Sequence, residues 1–430
     1  MRRGDRAFIH FLRSSLAVLD GDNAGANREA KSGLDVAVEA GIPSLECLAR
    51  VAVVQAMLSA GDQRGAESQA RGAKILAAKL RSPLLEVSAQ LITAAAAVAS
   101  RDESAALVAL AAAFARARER GFRHLPGIRP PLLADLCALA LRHDMETAFV
   151  RGLVTAGNLA PPRAALHLKQ WPRPFHISTL GGFELMRESM PIEFSKKGPG
   201  RPVELLKVLI ALGGRNVRTD QLADALWPRV DADYAHKSFT ATLHRLRRIF
   251  EADAALILAD ARLNLNPALF WVDAWALDHL ITELDSALRE PPRPTARDDV
   301  RALVAEVTTL YRGPFLPDEA EQPSFIAYRE HLRAKLARCV ARIARRWEEA
   351  GMREAAVDCY LQCIDADELC EAFYRGLMQC YQRHGEHVEA LSTYERLRTL
   401  LATRLSTTPS PETQAVYAAL LAPQANAPRA

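Results

Sequence analysis

The chain has 430 residues, 49% of them hydrophobic, with 55 Lys and Arg against 51 Asp and Glu. That is enough length and apolar content for two or three folded domains, while a net charge of only +4 leaves any nucleic-acid partner to be met by a local basic patch. No run approaches the ~18 apolar residues of a membrane span, Met1-Arg-Arg-Gly-Asp-Arg6 lacks the apolar stretch and cleavage site of a secretory leader, and the seven cysteines, odd in number and mostly on predicted helices, fit a reducing cytoplasm.

The first part of the chain repeats at a spacing of 40: Gly21-Asp22 recurs as Gly61-Asp62 and then as Arg101-Asp102, and Pro43-Ser-Leu-Glu46 recurs as Pro83-Leu-Leu-Glu86. A helix-turn-helix unit of that length predicts an Ala-rich α-solenoid over residues 1–160, either without a ligand of its own or with a concave surface for an effector, a partner protein or the rest of the chain. The pattern resembles the MalT-like or tetratricopeptide-like arrays of large bacterial regulators. Such regulators often carry an NTP-binding switch domain and this sequence has no motif for one, while helical pattern begins almost at once, at Phe8. Both features are read as those of a short member or of the C-terminal part of a longer chain. Ala160-Pro-Pro-Arg163 and Lys169-Gln-Trp-Pro-Arg-Pro174 then predict a stiff extended linker over 161–174.

The segment 175–272 changes character. Phe175-His-Ile-Ser-Thr-Leu180, a Gly181-Gly182 turn and Phe183-Glu-Leu-Met186 read as a hairpin. A helix from Arg201 to Leu212 follows, with Leu205, Leu206, Val208, Leu209 and Leu212 on one stripe and a stop at Gly213-Gly214. A second helix starts at Thr219 as N-cap, buries Leu222, Leu226 and Trp227, and ends at Pro228. The third, Asp233 to Phe250, is wound at about 100° per residue, which puts Ala235, Phe239, Leu243, Leu246 and Phe250 inside. Lys237, Thr240, Ala241, His244 and Arg248 then face outward, flanked by Arg245 and Arg247. A second hairpin closes the segment, Ala255 to Asp260 and Leu263 to Asn266, turning at Ala261-Arg262 with Arg262 at or near its tip. A small, cationic outer helix face suits the DNA major groove, where Arg and Lys reach guanine edges. Residues 195–250 carry eleven Lys and Arg against five Asp and Glu, so the positive excess is local. A basic helix face taken alone is more often merely solvated; its setting between two hairpins decides for DNA.

The succession "RPVELLKVLIAL", "TDQLADALWP", "SFTATLHRLRRIF", hairpin, "FWVDAWALDHL" resembles the OmpR/PhoB-type winged helix found in the antibiotic-regulatory-protein activators. The resemblance implies that the third helix reads bases and the second hairpin, the wing, touches adjacent backbone. It thereby points to Lys237, Thr240, His244, Arg245, Arg247, Arg248 and Arg262 as DNA-binding residues. Arg247 lies toward the apolar edge and is left open between a phosphate and an intramolecular carboxylate. The wing lacks the glycine-rich aromatic turn common in that family, which makes its contacts less secure than those of the helix.

From Tyr311 to Leu421 the chain repeats at 34, aligning Trp347 with Tyr381, Gly351 with Gly385, Ala356 with Ala390 and Tyr360 with Tyr394. That is the tetratricopeptide period. With "LYRGPFLPD" before the repeats and "LATRLSTTPSPETQAVYAAL" after them, the region 273–421 resembles the bacterial transcriptional activation domain of the same regulators. Ser406 stands where that family usually has glycine, which predicts a locally different helix end. Glu290-Pro-Pro-Arg-Pro-Thr295 reads as an internal loop between helices Trp275 to Leu288 and Val300 to Tyr311, and residues 422–430 as a disordered tail.

Cys359, Cys363, Cys370 and Cys380 with His384 and His387 invite a metal reading, but their spacing is not that of a zinc knuckle and buried cysteine is a common core residue. There is no HExxH and no GxSxG. Lys197-Gly-Pro-Gly-Arg201 lacks the ending of a phosphate-binding loop. The fold class expected is mainly α, two solenoid regions flanking a small α+β winged helix, with no cofactor, no metal and no catalytic residue. The expected function is a cytoplasmic transcription regulator, an activator on double-stranded promoter DNA, whose repeats serve a homodimer or RNA polymerase. The competing reading is a helical-repeat adaptor for proteins without a DNA target.

Overall fold

The computed structural model describes residues 3–125, 127–192, 200–289, 296–319 and 322–422. The readings of the loop at 290–295, of residues 197–199 and of the tail from 423 onward lie outside them. The chain divides into two compact units, Met1–Pro172 and Arg173–Ala430. The fold is mainly helical, with helical repeats before and after a small α+β region, and among the described residues no helix is long and apolar enough to cross a membrane.

The first unit holds α1 (Arg3–Leu19), α2 (Asn23–Glu39), α3 (Pro43–Ser59), α4 (Gln63–Leu80), α5 (Pro83–Ala99), α6 (Glu103–Glu119), α7 (Pro130–Arg142) and α8 (Thr147–Ala156). The 40-residue repeat has a local cause. Gly21, Gly61 and Arg101 take left-handed backbone at φ 79°, 80° and 61° just after α1, α3 and α5. The next residue, Asp22, Asp62 or Asp102, caps the following helix by accepting from Gly25 N, Gly65 N or Ala105 N at 2.8, 2.9 and 3.0 Å. A carboxylate at this position meets one of the orphan N–H groups and the positive end of the helix dipole. Pro43 and Pro83 then start α3 and α5, where a missing N–H is harmless. The seams are filled by alanine, as at Ala66, Ala70, Ala73 and Ala77 along α4, so helices approach closely. The segment expected as a stiff extended linker departs from that expectation: residues 163–165 form a 3-10 turn, and Ala165, Leu168 and Trp171 are buried in this unit's own core. Apolar side chains at three of its positions outweigh the stiffness of its prolines.

The second unit begins with β1 (Phe175–Ser178), β2 (Glu184–Arg187) and β3 (Met190–Pro191), followed by α9 (Gly200–Ala211), β4 (Val217–Arg218), α10 (Thr219–Leu226) and α11 (Ala232–Phe250). Next come β5 (Leu256–Ala259), β6 (Arg262–Leu265), β7 (Phe270–Val272), α12 (Asp273–Arg289) and α13 (Ala296–Leu310). The tetratricopeptide-like part is α14 (Pro323–Glu349), α15 (Arg353–Ala366), α16 (Glu371–Arg383), α17 (His387–Leu405) and α18 (Pro411–Leu421). One sheet runs β3-β2-β1-β7 with β1 and β7 parallel, and the other runs β4-β6-β5, all antiparallel. The first hairpin is shorter than its alternation suggests, because Thr179 and Leu180 are taken by Asp273. That carboxyl is fully buried and accepts from Thr179 N, Thr179 Oγ1, Leu180 N and Ala274 N at 2.6–3.0 Å. Burial pushes it above its ordinary value, and these hydrogen bonds pull it back.

The two segments 175–272 and 273–421 share one large core, with a smaller cluster of Met378, Ala390, Tyr394 and Leu420 beside it in the last helices. Leu180 bridges Phe315, Leu316 N donates to Thr179 O at 2.8 Å, and Gly181 N donates to Pro314 O at 3.0 Å. Here "LGGF" meets "RGPF" through backbone alone: a Cβ on Gly313, whose φ is 153°, would come within 2.8 Å of the Gly181 Cα. In the repeats, Gly351 and Gly385 turn at φ 74° and 76° and Ala356 and Ala390 are fully buried. Tyr311 Oη donates to Asp367 at 2.8 Å and Arg333 grips the same carboxylate, its Nε at 2.6 Å. Glu371 accepts from Ser410 N and from the hydroxyls of Ser410 and Thr413 at 2.6–2.9 Å, which explains the "PSPET" run. At Ser406 the expectation of a different helix end is corrected. The serine itself adopts the left-handed cap at φ 53°, and its backbone N–H reaches Leu401 O.

Two outcomes follow. Asp273→Ala strands four buried donors and lowers the unfolding free energy of the second unit by about 3 kcal/mol or more, read as a fall in the urea midpoint of the full chain; an unchanged midpoint contradicts the cap. Ser406→Gly relieves left-handed strain and raises stability by about 1 kcal/mol, measured by the same titration.

Candidate nucleic-acid interface

What holds α11 in place is aromatic. Phe250, its last residue, meets Phe175 of β1 and Phe270 of β7 with ring centroids 5.0 and 4.8 Å apart, and those two rings stack at 4.8 Å. Ala235, Phe239, Leu243 and Leu246 are buried along the same side, as is Thr242. From the hairpin, Arg187 donates to Ile249 O at 2.7 Å and pairs with Glu251 at 2.9 Å. At the other end Asp231 accepts from Asp233 N at 3.0 Å. The helix is therefore fixed at both termini and along one face.

Its free face is the one expected. Lys237, Thr240, Ala241, His244, Arg245 and Arg248 are all exposed, and Lys237, Arg245 and Arg248 make no ion pair among the described residues. Arg245 spends only its Nε, on Ala241 O at 3.3 Å, and Thr240 bonds back to His236 O at 3.0 Å. From Lys237 to Arg248 the stripe runs about 16 Å at ~1.5 Å per residue, on a helix of the width that the major groove admits. Arg247 does not join it. Its guanidinium is half-buried and donates to Leu256 O at 2.9 Å, tying the helix to β5; the acceptor is a carbonyl and not a carboxylate.

The wing also differs in detail. Asp260 and Ala261 carry φ of 47° and 54°, the signature of a two-residue type I′ turn, so Arg262 is the first residue of the return strand. The expected Thr219 cap is corrected as well: Thr219 is the first helical residue, Arg218 precedes it as cap, and the Thr219 N–H is satisfied by Ala261 O of the wing turn at 2.9 Å. Arg262 is exposed and donates to Asn216 O at 3.2 Å. Opposite it in register stands Arg218 of β4, a residue that the sequence reading passed over because a two-residue strand has no period to detect. Like charges directly opposed across strands repel. Asp220 relieves this by pairing with Arg218, and the Arg218 hydrogen bond holds the Asp220 carboxyl below its ordinary value. Arg215 and Arg229 are further exposed cations of the region.

Much of the local positive excess is spent inside the protein. Lys207 is buried, paired with Glu319 and seated 4.2 Å over the Phe183 ring; Arg201 pairs with Glu204. The cations left to an outside anion are those of the α11 stripe and the wing base. Arg247→Ala is expected to destabilise the second unit by about 1–2 kcal/mol through the freed Leu256 carbonyl and lost packing; a variant with an unchanged unfolding midpoint contradicts its structural role.

Residues 272–421 match the family model described as "Bacterial transcriptional activator domain", a description that points to transcription regulation. The search of curated proteins found no match. Among solved structures the chain is similar to "Mycobacterium tuberculosis EmbR in complex with low affinity phosphopeptide", with a TM-score of 0.40 and 19% identity. That alignment covers 58% of this chain and 65% of the other, less than two thirds of its length, and a likeness of that size carries no weight for function. The family match agrees with the resemblance drawn from "LYRGPFLPD" and the 34-residue repeat. Over residues 272–421, therefore, this chain is similar to the bacterial transcriptional activator domain.

Proposed function

We propose that the chain is a cytoplasmic bacterial transcription activator that binds double-stranded promoter DNA through α11 and the wing, and that its activator domain engages RNA polymerase or a second copy of the chain. The observation that carries this reading is the α11 stripe: Lys237, Arg245 and Arg248 are exposed and make no ion pair among the described residues, on a helix packed from behind through Phe250 against Phe175 and Phe270. No chemistry is required of it. Phosphate contacts from Lys237, Arg218 and Arg262 set the register, and Arg245 and Arg248 supply base readout, with Thr240, Ala241 and His244 leaving room for close approach.

A fixed-salt titration of the full chain with the promoter upstream of its own gene tests the assignment. Arg245→Ala and Arg248→Ala each weaken specific binding by about 1–3 kcal/mol, and Arg262→Ala by less. Unchanged affinity for both helix variants removes α11 as the reading element.

A further inference from the structure

We propose that Glu348, Cys380 and His384 form a zinc-binding site at the end of the first repeat pair of the activator domain. Cys380 and His384 are four residues apart, so they share one side of α16 and its cap, and Glu348 comes from the last turn of α14. One ligand atom from each lies within 4.8 Å of the other two. A tetrahedral zinc with bonds of about 2.0–2.3 Å sets its ligands roughly 3.3–3.8 Å apart, which small side-chain rotations reach.

A plainer account covers part of this cluster. Arg383 grips Glu348 through two hydrogen bonds of 2.9 Å, an ordinary pair between helices, and Cys380 is fully buried among core residues. That account leaves His384 unexplained. Its Nε2 is shut away from solvent with no hydrogen-bond partner, 3.7 Å from the Glu348 carboxylate. An unsatisfied buried nitrogen beside a thiol and a carboxylate is costly unless something is bound between them. Nitrogen, sulfur and oxygen donors in a set of three, with a fourth position open, are a zinc-type combination.

Burial and the neighbouring Glu348 push the Cys380 thiol up to about 12, so the cysteine enters as a thiol. On binding, a sulfur–zinc bond forms and the thiol proton passes to solvent; nothing is oxidised or reduced. Arg383 must release Glu348. Its side chain is 48% exposed and can turn outward. Zinc would then pin the end of α14 to the end of α16, making the activator domain sensitive to the metal.

The site stands independently of the DNA reading. Its test is titration of the full chain with cobalt(II), then competition by zinc. One equivalent should give a thiolate-to-cobalt charge-transfer band that zinc abolishes. Cys380→Ser should lose the band; His384→Ala and Glu348→Gln should keep native circular dichroism and weaken binding at least tenfold. Cys359→Ser should leave the band intact, and Arg383→Ala should tighten binding by removing the competing cation. Absence of the band at saturating cobalt, its survival in Cys380→Ser, or unaltered affinity in the His384 and Glu348 variants overturns the proposal.

Discussion

The buried Asp273 carboxyl is the constraint on which the second unit depends. It sits at the first turn of α12, yet three of its hydrogen-bond donors belong to Thr179 and Leu180 at the end of the first hairpin. A carboxyl taken wholly out of water is tolerable only when its acceptors are filled, so the sheet and α12 cannot part without leaving charge or donors stranded. The same two residues and the glycine after them are bonded to the 314–316 backbone. The Gly181 and Gly313 backbones approach so closely there that no side chain fits between them. Winged helix and the helices that follow it thus belong to one compact unit and share a core.

Charge is sorted by the same architecture. Cations that face inward are matched: Lys207 by Glu319 and the Phe183 ring, Arg333 by Asp367, Arg187 by Glu251 and a carbonyl. Lys237, Arg245 and Arg248 on the exposed side of α11 make no ion pair among the described residues. Isolated exposed cations cost a protein little in water, and they release counterions when they meet phosphates. The distribution fits a surface whose partner is a polyanion and a core whose polar groups serve stability.

Legibility in the sequence followed periodicity. The repeat at 40 residues was readable because its turns are punctuated by residues in left-handed backbone and its helix starts by Asp or Pro, and the repeat at 34 because Gly351 and Gly385 mark equivalent turns ahead of Ala356 and Ala390. The buried stripe of α11 was readable because its helix is long enough for a 3.6-residue period to declare itself. Elements of two residues, β3 and β4, have no period, and Arg218 was missed with them. Arg247 lay on the edge of the helical wheel, where composition cannot distinguish a carbonyl nine residues along the chain from a phosphate outside it. Ser406 carried a family expectation of glycine, but the surrounding helix end holds serine in the same conformation. Glu348 was invisible as a neighbour of Cys380 and His384 because it lies on a different helix; only packing brings the three together.

The central claim is that this chain meets DNA through fixed, uncompensated cations. The most direct measurement is the affinity of the intact chain for its upstream promoter as a function of salt. The account predicts a saturable complex whose log affinity falls linearly with log salt, with a slope of about −0.9 for each phosphate neutralised, and a footprint confined to a defined site. A chain that forms no saturable complex with that DNA at any salt, while binding a protein partner, contradicts it and leaves the helical-repeat adaptor as the better description.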